Sequence, residues 1–301
     1  MYLILAGGTG SIKLVRGFDN ANIISNVGDN IWLYGLYICP DIDTIMYGLA
    51  DILDKNRGWG IKNDTFNFMK QLRYYGIDTW FSIGDKDLAT HILRSEMIRE
   101  GKRLSEITDI LRRRLSIGRR ILPATDDRVE TYIESNNGIM HLQEFWVKHK
   151  GMLDVKNVFY KGIDDAKASD YVLDLIANAE RIVIAPANPI SSINPIISIK
   201  DIRKALIDAR DKCIAVSPII GTSAISGPAA KYMQALGYDV SIYGIADLYS
   251  SITSSLVIDK SDEKYSNIIS TKFDIDVYIT DIVMRNNEDE RRLADFIKNI
   301  K

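Results

Sequence analysis

The chain has 301 residues, of which 46% are hydrophobic and 26% charged, with a formal net charge of −2. That length supplies one large α/β domain or two modest ones with a substantial core. The near balance of charge implies neither a broad nucleic-acid surface nor an acidic tail, so any polyanionic partner would be bound locally.

The first apolar run, Tyr2 to Leu5, reads as a strand, and Gly7-Gly8-Thr9-Gly10-Ser11-Ile12-Lys13 follows it at once. Glycines let backbone N–H groups approach an anion, a following helix offers its positive end, and a lysine adds a full charge. The segment predicts a phosphate cradle. It lacks the Gly-Lys-Ser/Thr ending of a Walker loop, and Lys13 stands where a dinucleotide finger has its third glycine. A nucleotide-dependent oxidoreductase is therefore the weaker alternative, the more so because the second strand, Asn22 to Ser25, ends without an acidic residue.

Further strands are predicted at Trp80–Ile83, Arg181–Ala185, Cys213–Val216, Val240–Tyr243 and Val277–Thr280, most of them continuous apolar runs. Helical spacing marks Asp43–Leu53, Asp64–Tyr75, Asp85–Glu100, Ser105–Leu115, Ile199–Ala209 and Asp289–Ile300. Alternating strands and helices predict a doubly wound α/β fold, Rossmann-like, with a mostly parallel sheet and helices on both faces. Val129–Ser135, Asn136-Asn137-Gly138 and Ile139–Val147 read as a β-hairpin with a primed turn. With the helices from Asp43 to Leu115, the hairpin suits a lid or substrate subregion spanning residues 41–150 of a single composite domain, 1–301.

Acidic turns recur where such sheets place ligands: Asn26-Val27-Gly28-Asp29-Asn30, Pro40-Asp41-Ile42-Asp43-Thr44 and Gly84-Asp85-Lys86-Asp87. Asp43 alone would serve as a helix cap, but beside a phosphate loop Asp41 and Asp43 are candidate ligands for magnesium. Trp59, between Gly58 and Gly60, suits stacking on a flat heterocycle or a place in the core. His91, His141 and His149 have no zinc-like spacing; His91, one or two helical turns beyond the Asp85-Lys86-Asp87 turn, is within reach of the site but reads first as structural. The loops Ala185–Ile193 and Val216–Ser223 are expected at the carboxyl edge of the sheet. Cys39 and Cys213, each in an apolar stretch, read as buried thiols of a reducing compartment. Met1 to Ala6 is too short for a signal peptide, and no window approaches the ~18 apolar residues of a membrane span, so a cytoplasmic protein without a membrane partner is expected.

From end to end, AGGTGSIKLVRG, NVGDN, PDIDTIMYGLAD, GWGIKNDTF, WFSIGDKDLATHILR, ILPATDD, HLQEFWV, NPISSINPII, AVSPIIG and SGPAAKYM make the chain resemble the 2-phospho-L-lactate transferase (CofD-like) family of coenzyme F-420 biosynthesis. The resemblance implies transfer of a phospholactyl group from lactyl-2-diphospho-5'-guanosine to a ribityl hydroxyl of the deazaflavin Fo. GMP leaves, magnesium assists, and the protein acts as a homodimer without nucleic acid. Carried over, it assigns Asp43 and Lys13 to catalysis and Asp43, Ser82 and Trp59 to Fo. Gly8, Thr9, Gly10 and Lys13 then face phosphate; Asn188, Ser192 and the loop from Ser217 to Gly221 face the nucleotide; Asp41 and Asp43 hold the metal. The chain departs from the family pattern at Ser11 and Ile12, at Asn30, where a second acid is common, and at Ala187 in place of serine. The donor acid stays open among phospholactate, phosphoenolpyruvate and phosphoglycerate, and a non-catalytic Fo or nucleotide binder is the remaining alternative.

Overall fold

The protein, described from a computed structural model, is defined at residues 1–225 and 227–300. Ser226, which opens the last of the resembling segments, lies outside the described residues. Seven strands form the central sheet: β1 (Tyr2–Ala6), β2 (Ala21–Ser25), β3 (Ile121–Pro123), β4 (Arg181–Ile184), β5 (Cys213–Val216), β6 (Ser255–Asp259) and β7 (Asp276–Thr280). Their spatial order is β7-β6-β5-β4-β1-β2-β3, and every pairing is parallel. Leu3 to Leu5, Ile23, Ile24, Ile182 to Ile184 and Leu256 to Ile258 are all buried, because a parallel sheet is covered on both faces. The chain winds outward from β1 in both directions. The order therefore reverses between β1 and β4, and at such a switch point the loops leaving neighbouring strands diverge and open a crevice.

Three helices bear on that crevice. Helix α1 (Gly8–Gly17) begins one residue after β1, α2 (Pro40–Leu49) packs against it, and α3 (Asp85–Arg99) supplies the opposite wall. Gly7 admits this arrangement, since a Cβ there would stand 2.7 Å from Asp41 Oδ2 and 2.8 Å from Ser192 Cβ.

Several expectations are corrected. Trp80–Ile83 is not a strand; it follows an irregular course while Ile83 packs into a small separate core with Ile31, Leu36, Ile38 and Met69. Val240–Tyr243 is a helix entry, where Ser241 accepts from the Tyr243 N–H to cap Ile242–Tyr249. The strand sits further on, at β6, and β3 was not anticipated at all. Short apolar runs are ambiguous between strand and helix, and partners decide them. The hairpin forms as expected between Glu130–Ser135 and Gly138–His141, with Asn157–Lys161 as a third strand. Only Gly138 (φ +101°) takes a left-handed conformation there, and beyond the strand the chain turns into a short π-helix at Glu144–Lys148. Because β3 belongs to the central sheet, the additions within residues 41–150 come as separate pieces on either side of it. Cys39 and Cys213 are buried free thiols, and burial lifts each to about 12. Among the described residues no helix is long and apolar enough to cross a membrane.

Candidate functional site

A cleft of about 520 Å³ opens at the switch point, lined by Gly7 to Gly10 after β1 and by Ala187, Asn188, Ser191 and Ser192 after β4. Its remaining walls bring together Asp41 and Asp43 from α2, Asp87 and His91 from α3, and Ser82, Trp59, Phe81 and Trp146. Gly8, Thr9, Gly10, Asp41, Asp43, Trp59, Ser82, Asn188 and Ser192 thus all meet in one place.

The glycine turn differs in detail from an open cradle. The Gly7 N–H donates to Ser11 Oγ at 2.9 Å, and a Cβ on Gly8 (φ +69°) would meet Asp41 Oδ1 at 3.2 Å. The glycines make room for a carboxylate as much as for a ligand. Asn188 Oδ1 accepts from the Ile190 and Ser191 N–H groups and so fixes the loop after β4.

Lys13, Ser217 and Gly221 fall outside the cleft. The Lys13 ammonium donates to the Met284 carbonyl at 3.1 Å and lines a neighbouring hollow of about 720 Å³ with Arg16, Lys55 and Arg285. Helical geometry explains this: Lys13 lies five positions beyond Gly8 on α1, on the face turned toward Asn287–Lys298 rather than toward the loop after β4. Ser217 is fully buried with its hydroxyl on the Ile219 carbonyl at 2.8 Å, and the Gly221 N–H donates to Asp262 at 2.9 Å.

Asp41 and Asp43 do not face a common point. Both lie in the first turn of α2, two positions apart, and such residues point to different sides of a helix. Asp41 turns to Asp29. The Asn26 amide donates to both, at 2.9 Å to Asp29 and 2.8 Å to Asp41, and to the Ser191 carbonyl at 3.1 Å. Among the described residues no Lys, Arg or His forms an ion pair with either carboxylate. Burial lifts Asp41 to about 6 against the pull of the Asn26 hydrogen bond; enclosure in the cleft, and then the Asp41 charge, hold Asp29 well above the usual range.

Asp43 turns the other way. Arg94, fully buried on α3, takes both of its oxygens, with Nη1 at 3.0 Å from Oδ2 and Nη2 on Oδ1. Asp43, Asp87 and His91 lie close enough to enclose a cation, but the guanidinium already holds that charge. Arg94 Nη1 also lies 3.2 Å from His91 Nδ1. A guanidinium only donates, so Nδ1 accepts and Nε2 carries the ring proton, directed at Asp87 Oδ1 3.3 Å away. The Tyr47 hydroxyl donates to the same oxygen at 2.7 Å. His91 is thus part of the cleft wall; Asn26 and Asp87 belong to the acidic turns singled out in the sequence, without a role of their own there, and Arg94 is a member that no motif marks. Asp87, His91 and Arg94 stand at i, i+4 and i+7 of a helical pattern, the spacing that puts them on one face.

The other end of the cleft is aromatic. Trp59 and Trp146 are 40% and 45% exposed and Phe81 lies beside them, leaving flat apolar surface bare at the mouth. Arg57 lies 5.2 Å from the Trp59 ring centre and props it from one side.

The family model described as 2-phospho-L-lactate transferase CofD matches residues 3–243. The chain belongs to the CofD family. A 2-phospho-L-lactate transferase of Methanocaldococcus jannaschii is 39% identical over 99% of this chain and 96% of its own length. One of Methanosarcina acetivorans is 39% identical over 98% and 97%. Among solved structures, a UPF0052-family protein of Bacillus halodurans superposes with a TM-score of 0.68 at 15% identity, covering 99% of this chain and 98% of that one, a likeness of fold. The CofD-family chain thus carries the cleft of a doubly wound sheet, acidic at its floor and aromatic at its mouth.

Proposed function

We propose that the protein is a 2-phospho-L-lactate transferase of coenzyme F-420 biosynthesis. It moves the phospholactyl group of lactyl-2-diphospho-5'-guanosine to a ribityl hydroxyl of Fo and releases GMP. The observation that carries this reading is the pair Asp29 and Asp41, a cation-deficient carboxylate floor at the switch point, facing a cleft whose mouth is aromatic. Buried like charges without a counter-ion fit a hard divalent cation with oxygen ligands. Asp29 and Asp41 would hold magnesium, with Asn26 setting their separation; Asp43, committed to Arg94, is left to the acceptor. Bound there, the ion would neutralise charge on the donor's phosphate oxygens.

Transfer between phosphates and hydroxyls needs positioning and charge neutralisation more than covalent help. The uncapped first turn of α1, Gly8 to Gly10, and the loop fixed by Asn188 face the donor. The bare faces of Trp59 and Trp146 suit the deazaflavin ring, while Asp43 and Ser82 face its polar chain. With both substrates seated, the aromatic mouth excludes water that would otherwise compete with the hydroxyl. Purified protein given magnesium, Fo and the guanylylated lactate is expected to release GMP and convert Fo to a phospholactyl product, read by chromatography. No GMP with any divalent metal would sink the assignment.

A further inference from the structure

We infer that Asp87 accepts the proton of the attacking hydroxyl; the inference rests on the transfer reaction proposed above. The hydroxyl oxygen forms the new bond to phosphorus, and the bond from phosphorus to the departing nucleoside monophosphate breaks with its electron pair. The hydroxyl proton passes to Asp87 Oδ2 and then to solvent. No further reactant is required.

Of the titratable groups of the cleft, most are already committed. Asp29 and Asp41 share the Asn26 amide and are the pair left without a cation, so they are the pair to which a divalent ion is assigned. Asp43 has both oxygens occupied by the Arg94 guanidinium, which makes it a fixed hydrogen-bond acceptor with neither oxygen open to an incoming hydroxyl. His91 has its Nδ1 lone pair turned to Arg94 and its Nε2 proton turned to Asp87, so neither nitrogen is available. Tyr47 donates to Asp87.

Asp87 remains, and its two oxygens are unlike. Oδ1 takes the Tyr47 hydroxyl and faces His91 Nε2, which fixes the rotamer. Among the described residues no donor reaches Oδ2, which faces the Gly58-Trp59-Gly60 wall; a Cβ at Gly60 would stand 3.9 Å from it. That wall carries the exposed indole proposed for the acceptor ring, so the free oxygen lies where the acceptor enters. Burial raises the Asp87 carboxyl, but the His91 and Tyr47 contacts and the Arg94 charge outweigh it and hold it low, so the base is ionised at neutral pH.

The test compares wild type with Asp87→Asn in initial-rate assays of GMP release, and measures Fo binding to each by fluorescence titration. A positioned proton acceptor is worth about 10²–10⁴-fold, so kcat of Asp87→Asn is expected to fall by at least about 100-fold while the Fo dissociation constant stays within about threefold. A second variant guards against a folding defect: Asp87→Ala is expected to regain at least about tenfold in rate with added formate, a small base fitting the vacated space. A kcat within about fivefold of wild type, a loss confined to Fo binding, or no response to formate would overturn Asp87 as the acceptor. Wild-type protein that releases no GMP overturns the transfer reading, and the inference falls with it.

Discussion

The cleft holds two pairs of enclosed carboxylates treated in opposite ways. Asp43 and Asp87 are compensated by the fold itself, through Arg94, His91 and Tyr47, and Asp87 is held below the ordinary range. Asp41, on the far side of the first α2 turn from Asp43, and Asp29, in the loop after β2, have only a neutral amide between them and are pushed up. An unpaired charge in a poorly solvated place is costly, so a protein that keeps one either protonates it or supplies a counter-ion from outside. The first pair is finished by folding. The second would be completed by the cation proposed above.

Arg94 carries the largest expected effect. Arg94→Met leaves Asp43 buried without a cation and is expected to destabilise the protein by about 3–5 kcal/mol in denaturant unfolding. Adding Asp43→Asn to that variant should restore most of the loss, since the orphaned charge goes with it. A double variant as unstable as Arg94→Met would show that packing, not charge, is at stake.

The other pair should respond with the opposite sign. Asp41→Asn removes one unfavourable charge, so the metal-free variant at pH 7.5 should be more stable than wild type by on the order of 2 kcal/mol. It should also lose any rise in melting temperature that magnesium gives the wild type. Metal-free wild type should show the same physics as a function of pH. Folded Asp41 keeps its proton to about 6, while the unfolded chain releases it near 3.8, so this contribution is complete below 3.8 and is lost as pH rises to about 6. Asp87 works in reverse: its lowered value contributes stability above 3.8 that is lost as pH falls. Thermal melts of Asp41→Asn and wild type at pH 4 to 7 separate the two, and parallel curves would refute the assignment to Asp41. The smallest effect is expected at Lys13, whose ammonium meets the Met284 carbonyl outside the cleft. Lys13→Ala should change stability by no more than about 0.5 kcal/mol and lower turnover less than about tenfold. A larger drop in turnover would restore Lys13 to the site.

The central fold was legible because buried parallel strands write themselves as unbroken apolar runs, as at Tyr2–Ala6 and Cys213–Val216. The same signal misled at Trp80–Ile83, where the apolar side chains fill a satellite core and no strand stands alongside. That the glycine turn, Asp41, Asp43 and the Asn188 loop meet in one cleft was legible because motif and position coincide. Their division of labour was not. Asp41 and Asp43 sit in one motif, and only the start of α2 at Pro40 shows that they turn apart. Arg94 escaped notice because a buried arginine on a polar helix looks like any surface arginine until its partner is known.

The first turn of α2 carries one member of each pair, and this ties their histories together. An insertion or deletion between Asp41 and Asp43 would rotate one against the other by about 100°, so neither could keep its partner while the other kept its own. The floor of the cleft and the wall that carries Asp43 can drift in sequence around that turn, but their relative orientation is inherited as a single unit.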